Sequence, residues 1–192
     1  GFVTIMPSSS KGGPRNYSNA FLPAIYQGTS VGRAGLPASE ATIRNLNNTH
    51  LSPDVQNRQF DFLQELNRQQ AGIKSDRNLD AAIESFDLAF RMQMNAPDIL
   101  DLSDESKSTT EMYGIGEKST DTYGRQCLMA RRLAESGVRF IQVNYADESV
   151  NPKWDQHSNM PKHKVHAEAT DQPVAALLQD LKQRGLLEDT IV

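Results

Sequence analysis

The sequence has one cysteine, Cys127, so no disulfide can form within the chain. The apolar helical pattern around that residue predicts a buried small side chain rather than a reactive thiol. No apolar run approaches the roughly 18 residues that cross a bilayer, and no charged-then-apolar leader opens the chain, so a soluble protein is expected. Excess positive charge is also missing. Twenty Lys and Arg face 24 Asp and Glu, for a net charge of −4, and the cations are scattered, which sets a nucleic-acid partner aside. What is present, 38% hydrophobic and 23% charged residues in 192, suits a polar globular protein with a real core, or part of a larger one.

The ends resemble cuts. The chain opens without an initiator Met, inside the strand-like run Phe2-Val3-Thr4-Ile5, and closes at Asp189-Thr190-Ile191-Val192, where another strand is expected to begin. An interior piece, truncated at both ends, is the expectation.

Residues 1–50 are rich in Gly, Pro, Ser and Asn, without a sustained period beyond the first strand-like run. They predict long loops with short strands, of the kind that build site walls. Within them Ser8, Ser9 and Ser10 read as loop residues first and nucleophile candidates second, since nothing nearby in the sequence supplies a base. Residues 52–112 predict a helical insertion. Ser52-Pro53 has a capping residue followed by proline at the first helical position, and Val55, Phe60, Leu63 and Leu66 form a stripe. Ser75 caps a second helix with stripe Leu79, Ile83, Phe86 and Phe90, ended by Pro97, so the two make a hairpin.

Residues 119–192 change character. A helix over about 120–136 buries Tyr123, Cys127, Met129 or Ala130, and Leu133, and Gly137 stands where a left-handed cap belongs. Residues 138–145 read as a strand, rich in β-branched and aromatic residues. A helix over about 162–184 carries Val174, Leu177, Leu178 and Leu181, and the next strand starts at Asp189. This α-β-α-β run predicts an α/β fold, a parallel sheet covered by helices. Ligands in such sheets bind beyond the carboxyl ends of the strands, so chemistry is sought first in the loop over 146–161.

That loop and the helix after it hold Asp147, Glu148, Trp154, Asp155, His157, Asn159, His163 and His166. Asp155 and His157 can converge on one ion, and carboxylate with imidazole suits zinc, manganese or iron. A polar surface loop is the competing reading. His163 and His166 share one helical face and either join the site or meet solvent. Gly114-Ile115-Gly116-Glu117-Lys118-Ser119 is rejected as a phosphate loop because its glycine spacing is wrong and no strand precedes it.

Four separated motifs carry a family resemblance: Tyr123 to Leu133, Gly137 to Val143, Trp154-Asp155-Gln156-His157-Ser158-Asn159, and Thr170 to Leu187. With Phe21 to Thr29 upstream, the whole chain resembles domain-of-unknown-function family 1501, which is similar to sulfatases of the alkaline phosphatase superfamily. The resemblance implies one alkaline phosphatase-like domain over 1–192, incomplete, with a helical hairpin insertion. It implies a metal-dependent hydrolase of phosphate or sulfate esters, acting on a small-molecule or polysaccharide ester. Asp155 and His157 would be ligands of a divalent ion, zinc, calcium or manganese, with Trp154 and Asn159 shaping the substrate site. The family's Asp-x-x-x-His spacing is not kept, because Lys153 stands four residues before His157. The nucleophile is expected outside the chain, which would by itself be inactive, and the resemblance implies export to the periplasm or cell surface. The alternative is a non-catalytic exported binding or cell-surface protein that retains the fold.

Overall fold

The computed structural model describes residues 1–23, 26–43, 50–73, 83, 90, 96–149 and 153–192. Three strands, β1 (Phe2–Ile5), β2 (Thr29–Val31) and β3 (Phe140–Val143), form a parallel sheet in the order β2-β1-β3. Val3 to Ile5 pair with Thr29 to Val31, and Phe2 to Ile5 with Phe140 to Val143. Alternation along β1 sends Val3 and Ile5 to one face, where they join Val31, Ile141 and Val143. Among the described residues, helices include α1 (Pro53–Ile73), α2 (Lys107–Met112), α3 (Asp121–Glu135) and α4 (Lys162–Gln183). A mixed α/β fold with a parallel sheet is therefore present, as the sequence predicts.

Helix α3 lies on the sheet, and α4 lies largely on α3. Met129, Ala130 and Leu133 pack against Val3, Ile5 and Val31. The other side of α3 gives Cys127 and Leu128 to a second cluster with Tyr113 of the segment after α2 and Ala176 of α4. Sandwiching explains why α3 buries Gln126 and Arg131 as well as its apolar residues. Cys127 is buried as expected, and burial pushes its thiol up to about 12, which keeps it inert. At Gly124 the helix meets the Tyr113 carbonyl so closely that a Cβ would lie 2.2 Å from its oxygen. Gly137 takes φ 81 just after the helix, the left-handed turn expected there. Gln172 of α4 donates to the Glu111 and Met112 carbonyls, satisfying the end of α2.

Three expectations need correction. Residues 189–192 are not a strand: the chain leaves α4 through a short 3-10 turn at Leu186–Glu188, and Ile191 is fully exposed. Val174 and Leu178 also face outward, while Ala169, Pro173, Ala176 and Leu181 are buried. Small residues on that face let α4 approach another helix closely, whereas the larger apolar residues were expected inside. Pro97, expected to end a helix, falls within helical residues 96–100. Of the second hairpin helix, Ile83 and Phe90 are helical, and Phe90 stacks on Phe60 of α1 at 3.9 Å between centroids. Ser75, Leu79 and Phe86 lie outside the described residues.

The layers are joined by buried charge. Arg131 on α3 is 2% exposed and forms ion pairs with Glu105 at 2.7 Å, Asp180 of α4 at 3.0 Å, and Glu135 one turn on. Arg132 shares Glu105 at 2.6 Å, Arg184 shares Asp180 and Glu135 at 2.7 Å, and the Tyr113 hydroxyl donates to Asp180 at 3.1 Å. Desolvation pushes the Glu105 carboxyl up, but Arg132 and Arg131 outweigh it and hold it below the usual glutamate range. A carboxyl with a lowered folded pKa contributes stability that is present above its unfolded pKa and lost as pH falls through the folded one. Arg131→Met should cost about 3–5 kcal/mol in urea unfolding, because it takes the central cation from two buried carboxylates and leaves each with only its outer partners. The loss should shrink as pH drops below the ordinary glutamate range; a variant as stable as the parent at neutral pH would mean the network is dispensable.

Candidate functional site

All three strands run the same way, so the loops after β1, β2 and β3 gather at one edge. Asn144, just past β3, clips the end of that strand to β1: its side-chain amide donates to the Ile5 carbonyl at 2.7 Å and to the Thr4 hydroxyl at 2.8 Å. Past β1, buried Met6 adopts φ 52, a left-handed backbone that a residue with a side chain rarely holds. The chain then turns through Ser8 to Lys11, and that turn is gripped from the β3 side. Glu148 accepts from the Ser9 amide at 2.7 Å and the Ser10 amide at 3.0 Å, with the Ser8 hydroxyl at 3.4 Å. These donors, the Ser9 amide foremost, pull the Glu148 carboxyl down to about 2.

Beside this clasp, the first turns of α4 meet the loop after β3 in an aromatic and cationic cluster. The Tyr145 hydroxyl lies 3.1 Å from His166 Nδ1, and its ring meets Tyr123 edge-on at 5.3 Å. Lys153 Nζ sits 4.0 Å above the Tyr145 ring. Trp154 packs against Tyr145, His163 and His166 at 5.4 to 5.9 Å. A cavity of about 510 Å³ opens here, lined by Asp147, Ser149, Lys153, Gln156, Lys162, Val165 and His166. That size suits a small ligand.

Each ionisable group in the cluster has a physical bias. Desolvation, then Lys153, His163 and Lys162, lower the pKa of His166, so its imidazole is neutral near pH 7. Its Nε2 is buried without a hydrogen-bond partner. A neutral imidazole with one nitrogen on a phenol and the other unused can take or give a proton, depending on its tautomer. Desolvation also lowers the pKa of Lys153, while desolvation and Asp147 raise that of Tyr145, which stays a phenol. Desolvation raises the Asp147 pKa, but hydrogen bonds from Ser149 and the charges of Lys153 and Lys11 prevail and keep it ionised.

Asp155 and His157 lie outside the cavity lining and are paired directly with each other, with the His157 side chain 87% exposed. Among the described residues no three His, Cys, Asp or Glu side chains converge on a metal position. Trp154 joins the cluster through its ring. Asn159 instead builds the turn into α4, donating its amide to Gln156 and accepting from Lys162. His163 is held at 3.1 Å by the Met160 and Trp154 carbonyls. Sequence reasoning named neither Tyr145 nor Lys153 as site residues; the available signal was that Lys153 breaks the Asp-x-x-x-His pattern.

A histidine with a depressed folded pKa contributes stability that is full above its unfolded pKa, near 6.5, and falls away below it. The His166 ring should therefore titrate below 6.5 by NMR, and Tyr145→Phe should change that midpoint. A midpoint above 6.5 would contradict the desolvated, cation-flanked setting.

Among the described residues no helix is long and apolar enough to cross a membrane. No curated protein and no solved structure matches the chain. The family model described as "Protein of unknown function (DUF1501)" matches residues 1–192. With that match running from end to end, the chain belongs to the DUF1501 family.

Proposed function

We propose that the chain forms the anion-binding side of a sulfatase-like or phosphatase-like ester site at the carboxyl edge of an alkaline phosphatase-like sheet. The observation carrying this reading is the cavity after β3, where two lysines and a neutral histidine converge beside the β1 loop. Lys153 and Lys162 offset the negative charge of a sulfate or phosphate ester. His166 lines the cavity as a neutral imidazole and is the group in that lining suited to moving a proton. The ester is a small molecule or a substituent on a polysaccharide, and an exported location is part of the same reading.

Asp155 and His157 offer one oxygen and one nitrogen, right in kind for zinc, calcium or manganese but about two short of a four-coordinate site. When bound, an ion there would polarise an ester oxygen. The direct Asp155–His157 pair favours a second reading, an exported binding or cell-surface protein that keeps the fold without the ester chemistry.

Binding and turnover separate the two. Inorganic sulfate or phosphate should perturb the Lys153 and His166 resonances saturably, and Lys153→Ala should weaken binding about tenfold, the loss of one charge-assisted contact. Hydrolysis of 4-nitrophenyl phosphate or sulfate by the full-length protein with added zinc, calcium or manganese, lost on chelation and in His157→Ala, would select the hydrolase. Binding without turnover would select the binding protein. If neither anion perturbs the cavity residues, the ester-site reading fails.

A further inference from the structure

The Glu148 clasp is unusual in where its carboxylate comes from and what it meets. The donors are consecutive main-chain amides, Ser9 and Ser10, with the Ser8 hydroxyl, in a turn directly after β1. The turn needs no carboxylate for its own course, since the Lys11 amide donates to Ser8 Oγ at 3.2 Å and the Asn16 side chain donates to the Lys11 carbonyl at 2.7 Å. Glu148 is exposed, so no buried charge depends on the contact. Paired amides of this kind form a concave anion-binding nest. The two oxygens of a carboxylate and two oxygens of a tetrahedral sulfate or phosphate are spaced alike.

We propose that the Ser8–Lys11 turn is the docking point for the sulfate or phosphate group of the ligand, and that Glu148 is an internal occupant that the ligand displaces. This rests on the ester-site reading and names where its anion sits. Glu148 lies between Asp147 and Ser149, both of which line the cavity, so releasing its carboxylate moves the cavity wall. Lys11 ties the two regions: its Nζ donates to the Ser149 carbonyl at 2.6 Å. Charge nearby is mixed. Asp147 opposes a second anion, but it faces Lys11 and Lys153 and is hydrogen-bonded by Ser149. Left-handed Met6 fixes the direction in which the turn leaves β1, so the amides are aimed before any ligand arrives.

The test is a sulfate titration of the 192-residue chain at constant ionic strength, followed through backbone amide resonances. In Glu148→Ala the Ser9 and Ser10 amides should shift saturably, with half-saturation at least tenfold lower in sulfate than in the parent chain. Glu148→Gln keeps one acceptor oxygen and the loop's course, and should fall between the two. The proposal is overturned if Ser9 and Ser10 do not respond in Glu148→Gln or Glu148→Ala, or if the parent and both variants bind alike. Response at Lys153 and His166 without Ser9 and Ser10 sinks the nest and spares the ester site. The reverse spares the nest and sinks the ester cavity, and silence at all four removes both.

Discussion

One guanidinium decides how the layers stack. Arg131 is buried between the sheet-facing helix and α4, and three carboxylates from three parts of the chain surround it. A buried charge is tolerable only when its partners are held in place, and its partners are equally committed. Glu105 is fixed by Arg132, whose guanidinium also reaches the Asp98 and Ile99 carbonyls. Asp180 is fixed by Arg184 and Tyr113. Three arginines thus balance three carboxylates, and α2, α3 and α4 can assemble in one arrangement without stranding a charge. Apolar packing supplies attraction in this region; the ion network supplies registry.

Registry at the core sets the site at a distance. Asp180 and His166 are both on α4, about 21 Å apart along the helix at 1.5 Å per residue. Fixing Asp180 against Arg131 fixes the axis of α4, and that axis delivers His166 to Tyr145 at the end of β3. Tyr123 on α3 touches Tyr145 from the other side. The loop after β3 is therefore held by two helices and by Glu148 on the β1 turn, although it has little regular structure itself.

How much of this could be read from the sequence depends on the range of the cause. Helices α3 and α4 and strand β1 were legible because their signals are local: periodic apolar residues, Gly137 as a cap, and β-branched alternation. The strand expected at Asp189 was not, because β-propensity has force only where a neighbouring strand offers hydrogen bonds. Val174 and Leu178 misled for a related reason, since periodicity gives the spacing of a face but not which neighbour it meets. The loop after β3 was correctly placed at the edge of a parallel sheet. Its inner arrangement was not legible: Lys153 over Tyr145 and Glu148 on Ser9 and Ser10 join residues by position in space, and neither pair has a spacing to recognise.

The separation between network and site has a further consequence for how the molecule tolerates change. None of the carboxylates around Arg131 lines the cavity, and none of the cavity residues belongs to the two main apolar clusters. Loop side chains such as Lys153 and Glu148 contribute to the site through charge and hydrogen bonds rather than through core volume. Substitutions there can alter ligand chemistry while costing the fold little. Tyr145 is the exception, because it touches Tyr123, Lys153, Trp154 and His166 at once. It is the residue through which a change in packing along α3 would reach the protonation of His166, and through which a bound anion near Lys153 would be felt by the helices.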